Sequence, residues 1–401
     1  MLAKRGKSAA VIVALIAGLF GSRAWSDPAA DQAVELHRLL TGGVALYPEN
    51  PLYGSVVTYI RAGDYRAAAR AITDPRTGAP EFYNNLVADT AHVFNRLGTP
   101  AGPRNEIDAL WLGVTRDNLT LDDLLSADVV FYDPTLTGGN AYPTANHYVE
   151  MWRSRNPRDA LIQGQRPGMS AVGIFTTGPW GENYHFMGTG RRNWRGVVEN
   201  LYCSTLEAVQ AKQTPQTFIR RDVPRPPVEM KFSTSCVLCH ATMDALIPPF
   251  LEFDYIGNTV VRGFRDRINE LNFATYVVTD TTGKVFYTPE NESIFGYQNT
   301  DGISFAPYGD TGVMQATVPD LAAFGKLIAH SSGFHRCMVK RIIAQIYMRR
   351  LYSFATFSDA DHAVLNTQAN TIEAFTALLG RGTRLKPLYE EIAIHYLRNR
   401  N

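Results

Sequence analysis

The sequence predicts a mainly α protein. Three observations carry that expectation. Apolar residues recur at helical spacing near both ends of the chain, Gly and Pro clusters punctuate those runs, and strand patterns are few and short. No internal repeat is visible.

The elements follow in chain order. From residue 29 to about residue 125 the pattern is helical: Val34, Leu36, Leu39 and Leu40, then Val56, Val57, Ile60, Ala67 and Ile72, then Leu86, Val87, Val93, Phe94 and Leu97. Gly78-Ala79-Pro80 and the stretch 98–103 break these helices. Thr120 is placed to cap a short helix containing Leu124 and Leu125, with Asp122 and Asp123 in its first turn. Val129-Val130-Phe131-Tyr132 reads as a short strand, and residues 138–190 as irregular, rich in Gly, Pro, Asn and aromatics. Helix returns over 194–206, followed by a linker containing Pro215, Pro224, Pro226 and Pro227. Val277-Val278, Asp280-Thr281-Thr282-Gly283 and Val285-Phe286-Tyr287 predict a small β-hairpin. Beyond Pro319 the chain is helical again, through Leu321, Phe324, Leu327 and Ile328, then Met338, Ile342, Ile343, Ile346 and Tyr347. Two last helical stretches run over 371–379 and 388–397.

Soon after the linker stands Cys236-Val237-Leu238-Cys239-His240. Two thiols three apart with an imidazole directly after the second form the attachment signature of a c-type haem. On a helical turn both sulfurs lie on one face and can reach the two vinyl groups of one porphyrin, while His240 can offer a neutral nitrogen to the iron. Zinc is the rival reading, because Cys-x-x-Cys with His is also a zinc half-site. Zinc needs further ligands at knuckle spacing, and none follow. A thioredoxin-type redox pair and a chance occurrence remain as alternatives. The fold expectation becomes mainly α, with a cytochrome c-like haem segment embedded between helical domains and a small β-hairpin. The divisions are a signal peptide (1–26), an N-terminal mostly helical domain (27–220), the haem-binding segment (221–300) and a C-terminal helical domain (301–401).

The N-terminus agrees with export. Lys4, Arg5 and Lys7 precede an apolar run over 9–20, and Ala24-Trp25-Ser26 offers a small-x-small cleavage site. An uncleaved anchor is the alternative reading. No later run is long enough to span a bilayer, so no integral span is expected in the mature chain, and the location expected is periplasmic or secreted in a bacterium. A net charge of +1 with interspersed signs argues against a nucleic-acid partner. Of four cysteines, two belong to the haem motif. In an oxidising compartment the remaining pair, Cys203 and Cys337, is expected to form a disulfide, with two free buried thiols as the alternative.

Several phrases together resemble a known family. RRNWRGVVENLYC (191–203), a Pro-rich spacer, CVLCHATMDALIPPFLEFDYIG (236–257) and DLAAFGKLIAHSSGFHRCMVKRI (320–342) are similar to secreted bacterial proteins widespread in planctomycetes and myxobacteria. Those proteins are built from consecutive domains of unknown function around one c-type haem signature, with C-x-x-C-H-x-x-M/I-D-P-x-G-F-x-x-E-x-F/Y-D-x-x-G at their centre. Met243-Asp244, Phe253-Asp254 and Gly257 fall in register. Glu252 sits one place late and Phe250 two, and Ala245-Leu246-Ile247-Pro248-Pro249 replaces Pro-x-Gly, so the turn after the haem helix differs. Asp123-Leu124-Leu125-Ser126-Ala127-Asp128 is similar to the family's upstream domain. The resemblance covers parts of 119–350. It implies haem and export, and little about chemistry.

His240 is the expected proximal ligand. For the sixth position Met314 is the first candidate, against a role as core filler, because a thioether favours ferrous iron and suits electron transfer. His330, His335, His185 and Met187 are weaker candidates, and the iron can also be five-coordinate. Met243 is expected beside the ring. Asp244 is a candidate for a hydrogen bond to His240, and one of Arg191, Arg192 and Arg195 for pairing a haem propionate. The function expected is that of an exported monohaem c-type cytochrome-like protein carrying electrons to or from a redox partner protein. The alternatives are a peroxidase- or oxygenase-like haem enzyme with an open distal site, and a binding protein in which haem is only a stability element. Nothing in the chain resembles a Ser-His-Asp array, a phosphate loop or a dinucleotide fingerprint.

Overall fold

A computed structural model describes residues 27–92, 94, 104–136, 145–166, 170–185, 190–204, 248–250, 253–256, 259–262, 303–305, 314–316, 320–347 and 367–399. Helix accounts for 68% of them, so the mainly α expectation holds.

Local chemistry sets the first helices. Asp27 accepts from the Ala29 amide and Pro28 occupies the first turn of α1, Pro28–Leu40. α2, Tyr53–Arg61, precedes α3, Tyr65–Thr73, where Asp64 accepts from the Ala67 amide. A π-helical turn, Phe82–Val87, then leads into α4, Ala88–His92. Next comes α5, Glu106–Arg116, opened by a reciprocal capping box between Asn105 and Asp108. Every residue of α5 from Glu106 to Thr115 is buried, which makes it the central helix. Thr120 and Asp123 form a second capping box at the start of α6, Leu121–Leu125, where the sequence placed Thr120 as the N-cap.

β1, Val130–Tyr132, pairs antiparallel with β2, Ile162–Gly164. Between them the stretch expected to be irregular contains α7, Ala145–Ser154, and α8, Pro157–Ala160. Tyr148 and Met151, both buried, give α7 an inward face that the Gly and Pro on either side obscured. A single turn, α9, Gly178–Trp180, runs into a π-helical turn, Gly181–His185. α10, Gly190–Gly196, continues as another, Val197–Leu201. The helix expected to reach residue 206 therefore ends earlier, and Cys203 turns away with φ 49°, in the left-handed region.

A 3₁₀ turn, Pro248–Phe250, precedes the antiparallel pair β3, Phe253–Ile256, and β4, Thr259–Arg262. A third antiparallel pair joins β5, Ile303–Phe305, to β6, Met314–Ala316. The hairpin expected over 277–287 lies outside the described residues. The chain closes with α11, Leu321–Ala329, α12, Ser332–Tyr347, α13, Ala369–Gly380, and α14, Leu385–Arg398.

α14 packs on α1 and α3, and α12 packs on α13 and α14, so residues near both ends of the chain build one core. α11 lies against α6, and Gly325 permits that approach, because a Cβ there would stand 2.2 Å from the Leu125 carbonyl oxygen. Among the described residues no helix is long and apolar enough to cross a membrane.

Candidate functional site

Cys236, Cys239, His240, Met243, Asp244 and Met187 lie outside the described residues. What the structure describes is the protein at both ends of the segment that carries the motif.

Upstream, α10 and its π-helical extension deliver Cys203 to α12. The Cys203 and Cys337 sulfurs stand 1.94 Å apart with Cα atoms at 5.3 Å, so the expected pair is at disulfide distance. Both cysteines are buried, and Arg341 Nη2 donates to the Asn200 carbonyl at 3.0 Å beside them. The segment containing the motif thus leaves from a fixed point.

Downstream it returns to an aromatic wall. Phe250, 2% exposed, packs edge-on to Phe324 at 5.3 Å and Phe175 at 5.7 Å between ring centroids. Phe175 meets Trp180 at 5.2 Å, and Trp180 meets Tyr184 at 4.5 Å. Edge-to-face and offset geometries of this kind favour aromatic pairs beyond the area they bury. His240 precedes Pro248 by eight residues, so even fully extended chain keeps His240 within about 28 Å of Pro248.

Polar groups inside the wall are spent on one another. Trp180 Nε1–H donates to Asn193 Oδ1 at 2.8 Å. Asn193 Nδ2 donates to the Tyr184 carbonyl at 3.1 Å and meets His185 Nδ1 at 3.2 Å. His185 Nε2 lies 2.9 Å from the Phe175 carbonyl. This network assigns the proton to Nε2 and leaves Nδ1 as acceptor. His185 is therefore a satisfied core histidine, 2% exposed, with both ring nitrogens occupied, and the weak expectation of an iron ligand there is corrected.

A buried ion pair fastens the strands beyond the wall. Arg166 Nη2 donates to Glu106 Oε1 at 2.9 Å, and Nη1 donates to the Thr176 carbonyl at 2.7 Å and the Val260 carbonyl at 3.4 Å. The second carboxylate oxygen of Glu106 accepts from the Gly178 amide at 2.7 Å. Burial pushes the Glu106 carboxyl up from its ordinary value, opposed by Arg166 and that amide. One pair thus links α5, the loop carrying Phe175 and β4.

Other expected residues fall elsewhere. His330 caps the end of α11, its exposed ring Nε2 lying 3.1 Å from Asp122 Oδ1. His335 is buried and donates from Nε2 to the Ala329 carbonyl at 2.7 Å, with burial holding its pKa below the usual imidazole value. Both are placed as capping or core groups. Arg195 is exposed and pairs with Glu199 one helical turn on, and Arg192 is exposed. Backbone pairing sets Met314 opposite Phe305 in the third strand pair, and its side chain lies outside the described residues, as does that of Arg191. Among the described residues no group of three or more His, Cys, Asp or Glu could hold a metal ion.

Phe175, Trp180, Phe250 and Phe324 are each 2% exposed or less, so these rings pack against one another as core beside a segment anchored at both ends. The described rings leave no open face for a macrocycle, and the covalent and iron-ligating contacts of a haem would fall to Cys236, Cys239 and His240. Sequence reasoning did not single out Phe175, Trp180, Asn193, Glu106 or Arg166, and it read Phe324 only as an apolar position of a helix. Aromatic content alone does not separate a cofactor wall from an ordinary core, and a Glu–Arg pair 60 residues apart leaves no local pattern. No protein-family model, curated protein or solved structure matches the chain.

Proposed function

We propose that this chain is an exported monohaem c-type cytochrome-like protein that exchanges electrons with a redox partner protein. The motif Cys236-Val237-Leu238-Cys239-His240 carries the reading, with Cys236 and Cys239 as thioether attachment points and His240 as proximal ligand. Bound haem would supply one-electron chemistry. The protein's own part is to hold the motif between the Cys203–Cys337 bridge and the packed core at Phe250. The bridge also supports an oxidising compartment, periplasmic or extracellular, because disulfides persist there.

The test is a pyridine haemochrome spectrum of protein expressed in bacteria competent in cytochrome maturation. One haem per chain that resists acid-acetone extraction is expected, and Cys236→Ser with Cys239→Ser should abolish retention. A colourless wild-type protein ends the reading.

An open distal position is the second reading, and the occupied ring of His185 favours it by removing one candidate sixth ligand. Carbon monoxide separates the two. A shifted Soret band on adding CO to the reduced protein supports an open site, and an unchanged spectrum supports Met314 or another strong sixth ligand.

A further inference from the structure

Far from the aromatic wall, the ends of four helices enclose a cavity of about 560 Å³. Its lining includes Arg38 of α1, Tyr347 of α12, and His395, Tyr396 and Asn399 at the end of the chain, with Gln368 just before α13. The volume lies within the range of about 300–1,000 Å³ that small-molecule sites occupy.

The chemistry of the lining selects a ligand class. Tyr347 and Tyr396 stack at 4.4 Å with an interplanar angle of 17°. Tyr396 is 8% exposed and Tyr347 54%, so Tyr347 covers its partner with one face and presents an aromatic platform with the other. The charges on the wall cancel. Arg38 gives its fork to Glu35 in two bonds, 2.7 and 2.9 Å, and burial lowers the pKa of His395, which favours its neutral form. Gln368, which receives the Tyr396 hydroxyl at 3.4 Å, adds an amide that donates and accepts, and Asn399, whose Nδ2 donates to the His395 carbonyl at 2.8 Å, adds the acceptor Oδ1. An anion or an isolated cation finds no uncompensated opposite charge here. A flat heteroaromatic prefers a slot closed on both faces, whereas this site has one platform below an open volume. A pyranose suits it: its C–H face rests on the ring, and its rim of hydroxyls meets the amides.

We propose that this cavity binds an uncharged saccharide, with one sugar ring stacked on Tyr347. The inference stands apart from the haem reading and uses none of its residues.

Isothermal titration calorimetry of the full mature chain tests it, with maltotriose, cellotriose and tri-N-acetylchitotriose as probes and adenosine as a stacking control. Co-sedimentation with insoluble cellulose and chitin shows whether the same chemistry is read on free oligosaccharides or on a polymer. At least one trisaccharide should bind. Tyr347→Ala should weaken that binding tenfold or more, and Tyr347→Phe should restore it because the platform is kept. Asn399→Ala, at an exposed helix end, should weaken it several-fold and serves if Tyr347→Ala fails to fold. Three results would each overturn the proposal: no binding to any of the saccharides, tighter binding of adenosine, or saccharide binding unchanged in both Tyr347→Ala and Asn399→Ala.

Discussion

The two ends of α12 sit in opposite environments. Toward one end Phe334 and Cys337 are fully buried, and Cys337 forms the bridge to Cys203. Ten residues on, about 15 Å along the axis, Tyr347 stands half in solvent beside a cavity. Three pairings tie polar groups of the dry region together: Trp180 to Asn193, His185 to Phe175, Arg166 to Glu106. An unpaired group there would bear its full desolvation cost. In the wet region Asn399 and Gln368 line an open volume where water or a ligand can complete their bonds. The contrast teaches that a satisfied polar network marks where the fold is held, and an aromatic face left in solvent marks where something can bind.

That contrast can be broken by mutation. The largest effect is expected in the dry region. Phe324→Ala, at a fully buried position between Phe175 and Phe250, should cost about 3–5 kcal/mol in urea unfolding. Arg166→Met leaves Glu106 buried without its partner and should cost a similar amount, about 3–5 kcal/mol, much of it recovered in the double variant with Glu106→Gln. A loss under 1 kcal/mol in both would mean that the wall is not a packed unit. Replacing Cys203 and Cys337 by Ala should cost about 2–5 kcal/mol, read from the shift of the unfolding midpoint without reductant.

Acid sharpens the comparison. His335 has a folded pKa held below its unfolded value of 6.5 by burial. Its contribution is fully present above that unfolded value and is lost as pH falls through the lower, folded one. Stability should therefore decline on acidification below about pH 6.5, and His335→Gln should flatten that decline. Equal slopes in both proteins would assign the acid sensitivity elsewhere. The smallest effect is expected at the wet end, where Tyr347→Ala should cost about 0.5–1.5 kcal/mol, the value of one aromatic pair.

Much of the fold was legible because its signals are local. Thr120 with Asp123 announced a helix start, and the periodicity beyond Pro319 announced α11 and α12. Two readings failed where neighbours decide the outcome. Gly and Pro around α7 masked an amphipathic stretch, and Cys203 leaves the helix early because it must reach Cys337.

By itself the sequence determined helical character and the Cys-x-x-Cys-His pattern at residues 236–240, since each depends on residue type at short spacing. Only the tertiary structure decided that Phe175, Phe250 and Phe324 share one wall, that both nitrogens of His185 are occupied, and that Tyr347 and Tyr396 stack above a cavity. Those contacts join residues far apart in the chain. Burial and hydrogen-bond partners belong to the packed state, and no local pattern encodes them.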